Sequence, residues 1–281
     1  MSKTILVLGG TGMLGEPVAR QLQADGFQVR ILARDTEKAA QHFDNSFEIV
    51  VGDVADRASL EQAMRGCDGV HISVGGPFDQ LSAENAAALA PQAGITHITY
   101  VSGSTVCKEN GWFPMVQQKL MAEKAIRESG VPYTIFCPTW PMEQLPRFAA
   151  APKVMTIGKQ PVPLHWFAAD DMARMVSAAY QTEAAQNKRF YVHGPEAYTL
   201  KNALERACAA LRPEVDSVGT MPVWLARVIG TLTGNDMLKF AAGLMGYFDK
   251  VGELGDPTEA NQVLGAPSTT LEQWLAQQQV G

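Results

Sequence analysis

The chain predicts a doubly wound α/β fold, a parallel sheet covered by helices on both faces. Three observations predict it: six short apolar runs rich in β-branched residues fill the first half, stretches of helical spacing separate them, and a glycine-rich turn follows the first run directly. Strands that alternate with helices pack as a parallel sheet buried on both sides, and such strands read as nearly continuous apolar runs. At 281 residues with 46% hydrophobic and 19% charged content, the chain is long enough to bury a sizeable core around that sheet.

Taken in order, the predicted strands are "TILVLG", "QVRILAR", "FEIVVGD", "DGVHISV", "HITYVS" and "YTIFCP". After Pro138 the rhythm loosens, because Pro141, Pro146, Pro152, Pro161 and Pro163 break the chain into loops and short elements. A further helix is predicted over "ADDMARMVSAAYQ", capped by Asp170 or Asp171, and a further strand over "RFYVHG". From Leu200 the pattern is mostly helical and ends in "TTLEQWLAQ", where Thr269 and Glu272 have the spacing of a capping box and Leu271, Trp274 and Leu275 share one face. These elements divide into a cofactor domain over residues 1–155, its sheet completed by about 165–195, and a smaller, mostly helical C-terminal substrate lobe over 196–281.

Composition excludes several classes of function. A net charge of -6 with no basic cluster argues against a direct nucleic-acid partner, which would need Lys and Arg gathered on one face. The apolar stretch "VWLARVIGTLTG" is interrupted by Arg227 and two glycines and is too short to span a bilayer, so no membrane association is expected. The opening "MSKTILVLGG" lacks a signal peptide's cleavage site, which makes the cytoplasm the expected location. Cys67, Cys107, Cys137 and Cys208 are scattered without a Cys-x-x-Cys pair and read as buried free thiols. No spacing of His, Cys and carboxylates suggests a metal, and none is expected.

The strongest functional signal is "LGGTGMLG", which places Gly9, Gly12 and Gly15 at the spacing Gly-x-x-Gly-x-x-Gly between a strand and a helix. The first glycine permits the tight turn, the second lets the backbone approach a pyrophosphate, and the third lets the helix pack closely on the sheet. The helix start then presents free N–H groups and its positive dipole end to the phosphates. The whole is a Rossmann-type dinucleotide site. The second strand ends in Arg34 where an NAD site usually carries an acid, and a guanidinium there would pair with the 2′-phosphate of NADP. Neighbouring Asp35 keeps NAD open.

Together the segments "GGTGMLG", "LAR", "VVGDVAD", "YVSGS", "KLMAEKAIRESGVPYTIFCPTW" and "LGAPSTTLEQWL" resemble the atypical short-chain dehydrogenase/reductases. The resemblance is to their NmrA-like group, which includes NADPH-dependent quinone and dye reductases as well as nucleotide-sensing regulators, and it extends over nearly the whole length. It implies that Thr11, Gly12, Met13 and Leu14 cover the pyrophosphate and that Arg34 holds the 2′-phosphate. It further implies that Asp53 and Val54 border the adenine, that Ser73, Val74 and Gly75 lie on the ribose side, and that Lys119, Pro138 and Thr139 lie at the nicotinamide end. Ser102, at the end of the fifth strand, is expected to contact the cofactor. Cys137 and Pro141 depart from the group, standing where many members carry arginine and an aromatic.

In relatives with Tyr-x-x-x-Lys the tyrosine moves a proton as hydride moves, while the lysine lowers its pKa and binds the ribose hydroxyls. Here the tyrosine position is Met115, four residues before Lys119. A methionine transfers no proton, so reduction of simple ketones is disfavoured, yet Lys119 can still orient the nicotinamide ribose. Acceptors that delocalise the incoming charge need less from a protein acid. The sequence therefore points to an NADPH-dependent oxidoreductase that delivers hydride to a quinone-like or other conjugated small molecule, with Lys119 as its catalytic residue. Trp112 and Phe113 stand ready as an apolar wall for a flat acceptor, or as ordinary core. A non-catalytic NADP(H)-binding redox sensor that acts through a regulatory protein partner is the alternative, and a homodimer stays open for either.

Overall fold

A computed structural model describes residues 2–151 and 153–279; Pro152, one of the prolines noted above, lies outside the described residues. In chain order the first half contains β1 (Thr4–Leu8), α1 (Gly15–Ala24), β2 (Gln28–Ala33), α2 (Thr36–Ala40), β3 (Glu48–Val51) and α3 (Arg57–Met64). It continues with β4 (Gly69–Ile72), α4 (Asp79–Ala93), β5 (His97–Val101), α5 (Pro114–Glu128) and β6 (Tyr133–Pro138). Then come α6 (Leu145–Ala149), β7 (Met155–Ile157), β8 (Leu164–Trp166), α7 (Ala169–Ala179), β9 (Lys188–Val192) and β10 (Glu196–Tyr198). The remainder is α8 (Leu200–Leu211), β11 (Gly219–Met221), α9 (Val223–Leu232), α10 (Asp236–Phe248), α11 (Thr258–Leu264) and α12 (Leu271–Gln278).

The chain divides into two compact units, each assembled from separate stretches. The first comprises Met1–Pro138, Ala169–Val192 and Gly255–Pro267, and holds a seven-stranded sheet in the order β3-β2-β1-β4-β5-β6-β9 with every pair parallel. All six runs expected from the first half are strands of this sheet, and "RFYVHG" supplies β9 at its edge. Ile5, Leu6, Val7 and Leu8 of the central β1 are fully buried, as a strand covered on both faces must be. One face packs Leu60, Met64, Ala83, Ala86, Ala90, Ala122 and Ile126 of α3, α4 and α5 against Leu6, Val70, Ile98 and Ile135. Helices α1 and α7 pack against each other in the same unit, tied by the Ser177 hydroxyl donating to Asp25 at 2.5 Å. Asp170 and Asp171 lie inside the first turn of α7 rather than before it, and Asp171 is buried and paired with Arg174.

The second unit comprises Thr139–Ala168, His193–Leu254 and Ser268–Gly281. It contains two small sheets, β8 antiparallel to β10 and β7 parallel to β11, with α6, α8, α9, α10 and α12. Its core is built on Met142, Leu145, Trp166, Leu204, Leu271 and Trp274. Both tryptophans keep their indole N–H satisfied, Trp166 through the Tyr198 carbonyl and Trp274 through Glu143, each at 3.0 Å. The expected box on Thr269 and Glu272 falls one residue later: Thr270 caps α12 and Gln273 closes the box. Leu271, Trp274 and Leu275 are the buried face, as expected. Among the described residues no helix is long and apolar enough to cross a membrane.

Two histidines are locked inside the large sheet. His71 Nδ1 lies 2.8 Å from the Thr99 hydroxyl and His97 Nε2 2.9 Å from the Thr134 hydroxyl. Burial pushes their pKa values down, from 6.5 to about 3 and about 4. Above pH 6.5 both are neutral folded or unfolded; below it the unfolded chain takes up protons that the fold excludes, so stability falls with pH. At roughly 1.4 kcal/mol per unit, the two should together cost on the order of 4 kcal/mol between pH 6.5 and pH 5. Urea denaturation across that range should show the fall, and His97→Gln, which removes one titrating group, should make it shallower.

Candidate functional site

The sheet order reverses between β1 and β4, the place where an open α/β sheet leaves a crevice beyond the carboxyl ends of its strands. The loop after β1 enters this crevice with Gly9 at φ +83°, a conformation favouring glycine, and a Cβ there would lie 2.7 Å from the Ser73 carbonyl oxygen. Gly15 begins α1, and a Cβ on it would sit 2.1 Å from the Gly9 carbonyl oxygen. Only backbone without side chains can pack this tightly. Gly12 is less confined, donating its N–H to the Gly9 oxygen at 2.9 Å, with that oxygen 3.0 Å from a Cβ built on it. Leu14 precedes α1 without a side-chain cap; in the first turn the Glu16 N–H donates to the Gly12 carbonyl at 3.0 Å and Pro17 carries no N–H.

A cavity of about 270 Å³ opens beside this loop. It brings together Gly9, Thr11, Arg34, Asp53, Val54, Val74 and Gly75 of the sequence-predicted residues, and adds Leu32, Ala33, Asp35, Lys38, Ala39, Gly52 and Phe78. Arg34 stands just past β2 at one wall. The carboxylate of Asp35, the acid that kept NAD open, accepts the Lys38 backbone N–H at 3.0 Å and caps α2. Lys38 lies in α2, four residues after Arg34, and lines the same cavity; no spacing in the sequence singled it out. Asp53 also serves its own turn, accepting from Ala55 N–H at 2.9 Å. Met13, Leu14 and Gly15 run from the loop into α1, and Ser73 turns inward, its hydroxyl 3.3 Å from the Leu8 carbonyl.

Lys119 is no solvated surface lysine. Its ammonium lies 2.6 Å from Asp79 Oδ2, with only 14% and 7% of the two side chains exposed, and it donates to the Val101 carbonyl at 3.0 Å. The Tyr100 hydroxyl donates to the other oxygen of Asp79 at 2.5 Å and lies 3.5 Å from the ammonium. Burial, with the Asp79 carboxylate beside it, raises the Tyr100 pKa well above the usual tyrosine value, so it stays protonated. Asp79 opens α4 and Tyr100 lies on β5; neither stood out in the sequence, because each is distant from Lys119 along the chain. Met115 is half-buried one turn before the lysine.

Ser102 is buried and donates to Glu123 at 2.5 Å, and Glu123 also pairs with Arg127 and with Arg189 Nε at 3.2 Å. Its hydroxyl is thereby committed to holding β5 against α5. Pro138 ends β6, while Thr139 begins the second unit and donates to the His165 carbonyl. Trp112 is 60% exposed and meets Phe113 edge-on with ring centroids 6.0 Å apart, so it is not core. All four cysteines are free, and burial pushes the Cys137 thiol up to about 12, which rules it out as a nucleophile at neutral pH. The fold also gathers His165, His193 and Glu253, a set no sequence spacing announced.

A doubly wound sheet with a glycine-built crevice at its reversal and paired cations on the cavity wall defines a dinucleotide-binding protein. The NAD(P)H-binding family matches over residues 9–183, and the chain belongs to it. Among curated proteins it is 32% identical over 202 residues to a (4-alkanoyl-5-oxo-2,5-dihydrofuran-3-yl)methyl phosphate reductase of Streptomyces griseus, covering 70% of each chain. It is 23% identical over 244 residues to a photosystem II assembly factor of Trieres chinensis, covering 82% of this chain and 76% of that one. Among solved structures it resembles the triphenylmethane reductase of Citrobacter sp. complexed with NADP(H), with a TM-score of 0.79 at 20% identity over 98% of this chain and 99% of that one.

Two outcomes follow from this geometry. Gly12→Val should leave the fold standing and abolish dinucleotide binding, whereas Gly15→Ala should unfold the loop, since its Cβ meets backbone at 2.1 Å; calorimetry with circular dichroism separates the two. Asp79→Ala strands a buried ammonium and should cost about 3–5 kcal/mol in urea denaturation, while Asp79→Ala combined with Lys119→Met should recover much of that.

Proposed function

We propose that the protein is an NADPH-dependent oxidoreductase that passes hydride to a conjugated small-molecule acceptor. The observation that carries this reading is the cavity wall: Arg34 and Lys38 face one space while Asp35, the acid beside them, is spent on a helix cap. Two cations suit a 2′-phosphate, which a ribose hydroxyl would not repay. The Gly9–Gly15 loop and the uncapped start of α1 fit a pyrophosphate, since their N–H groups are the donors it needs. NADPH, when bound, supplies the hydride.

The chain's own residues then explain the choice of acceptor. Met115 gives no proton, Tyr100 is fully buried and stays protonated, and Ser102 is committed to Glu123. With no tyrosine one turn before Lys119, and with Tyr100 held in the interior on Asp79, the acceptor must spread the arriving negative charge over its own π-system and take its proton from solvent. Lys119, held by Asp79 and Val101, offers a fixed positive charge at the end of β5, suited to orienting the nicotinamide ribose. The reductase relative is named for an oxo-dihydrofuran carrying an alkanoyl group, whose ring double bond is conjugated with its carbonyls, and this supports a conjugated acceptor.

A second reading, an NADP(H) sensor acting through a protein partner, is supported by the relative that is an assembly factor. Exposed Trp224, Leu232, Met237 and Phe240 on α9, α10 and the segment they bound are the apolar surface such a partner would use. NADPH oxidation measured against a panel of quinones, unsaturated lactones and cationic dyes separates the two. Turnover with a conjugated acceptor and none with simple ketones is expected; tight NADPH binding with no turnover on any acceptor would favour the sensor. In the same assays Arg34→Ala should narrow the preference for NADPH over NADH roughly tenfold, about 1.5 kcal/mol.

A further inference from the structure

We propose that His165, His193 and Glu253 form a binding site for a divalent transition-metal ion of the zinc class, within the second unit and independent of the nucleotide cavity. His165 lies on β8, His193 immediately follows β9, and Glu253 follows α10, so three stretches far apart in sequence meet here. One donor atom from each lies within 4.8 Å of the others. The convergence is built into the backbone. Gly194, next to His193, donates its N–H to the His165 carbonyl at 3.2 Å, and a Cβ on it would stand 1.6 Å from the Trp166 carbonyl oxygen. Any other residue at 194 would push the two histidines apart.

The three side chains are held by contacts with one another and with the backbone. Glu253 Oε2 accepts the His165 backbone N–H at 2.8 Å, and its Oε1 faces His165 Nδ1. The two imidazoles are stacked with centroids 5.3 Å apart and planes 11° from parallel. His193 Nε2 lies 3.2 Å from the Leu254 carbonyl oxygen. A carbonyl only accepts, so Nε2 carries the hydrogen and Nδ1 the lone pair, the outer hydrogen bond that sets the tautomer of a metal-binding histidine.

Two imidazoles and one carboxylate are the donor set of borderline divalent ions, zinc first among them. The donors of a tetrahedral zinc ion stand about 3.4 Å apart at its usual bond lengths, so ligation draws the group together. The His165 side chain, 40% exposed, has the freedom to move and gives an ion its entry route. Three protein donors leave a fourth position for water or for a ligand oxygen.

The test uses the full chain, stripped with chelator, then titrated with Zn²⁺ by calorimetry and with Co²⁺ by visible absorption. We expect one saturable ion per chain, cobalt bands of low coordination number displaced by zinc, and a melting temperature raised by zinc. Glu253→Gln and His193→Ala should each lose this binding; His165→Ala, at the half-exposed position, tests the same loss without opening the core. His42→Ala, which removes a surface histidine paired with Glu16 at 2.9 Å, should leave it unchanged. Absence of saturable binding in the unmodified chain, or binding in His165→Ala or Glu253→Gln as tight as in the unmodified chain, overturns the proposal and leaves a His–Glu contact that only closes the turn.

Discussion

The close approach of backbone to backbone beyond β1 is the constraint on which the candidate site depends. A Cβ at Gly15 would lie 2.1 Å from the Gly9 oxygen, and one at Gly9 would lie 2.7 Å from the oxygen of Ser73. These contacts draw the start of α1 and the end of β4 onto one turn, and the crevice at the reversal of the sheet exists because nothing bulkier fills it. The cavity, its polar floor and its position relative to Arg34 all follow. The apolar sheet beneath makes the turn rigid, since β1 is buried along nearly its whole length.

Part of the charge in the first unit is paired in its interior, and part stands at the cavity wall. Lys119 is bound to Asp79, and Glu123 to Arg127, Arg189 and the Ser102 hydroxyl. Buried ions of this kind are tolerated because every partner is present, and the reward is position rather than net stability. Asp35 caps the start of α2 and lines the cavity together with Arg34, Lys38 and Asp53.

The second unit is organised by different means. Its aromatic residues form a continuous set, with Trp140 meeting Phe148, Trp166 and Phe248 at centroid distances of 5.5, 6.1 and 5.0 Å. Small sheets of two strands would be marginal alone, and this aromatic core with α8 and α12 supports them. The same compactness brings three chain segments to the His165, His193 and Glu253 cluster, with Gly194 the residue that permits it.

Period and turn chemistry are local properties, and what depends on them was legible in the sequence by itself: the six parallel strands, the helix over Ala169–Ala179, the glycine turn, Arg34 past the second strand and the buried face of the last helix. Where two neighbouring residues offered the same local chemistry, the reading slipped. Thr269 and Thr270 are equivalent as caps on paper, and packing of Leu271 and Trp274 decided for the second; Asp170 and Asp171 slipped into their helix for the same reason. The partners of Lys119 are 40 and 19 residues away, Glu123 reaches Arg189 across 66, and the histidine cluster spans three separate stretches. Only tertiary structure decided these, because the pairing of buried charges and the convergence of ligands are set by which strands become neighbours, and that order is not a periodic property of the chain.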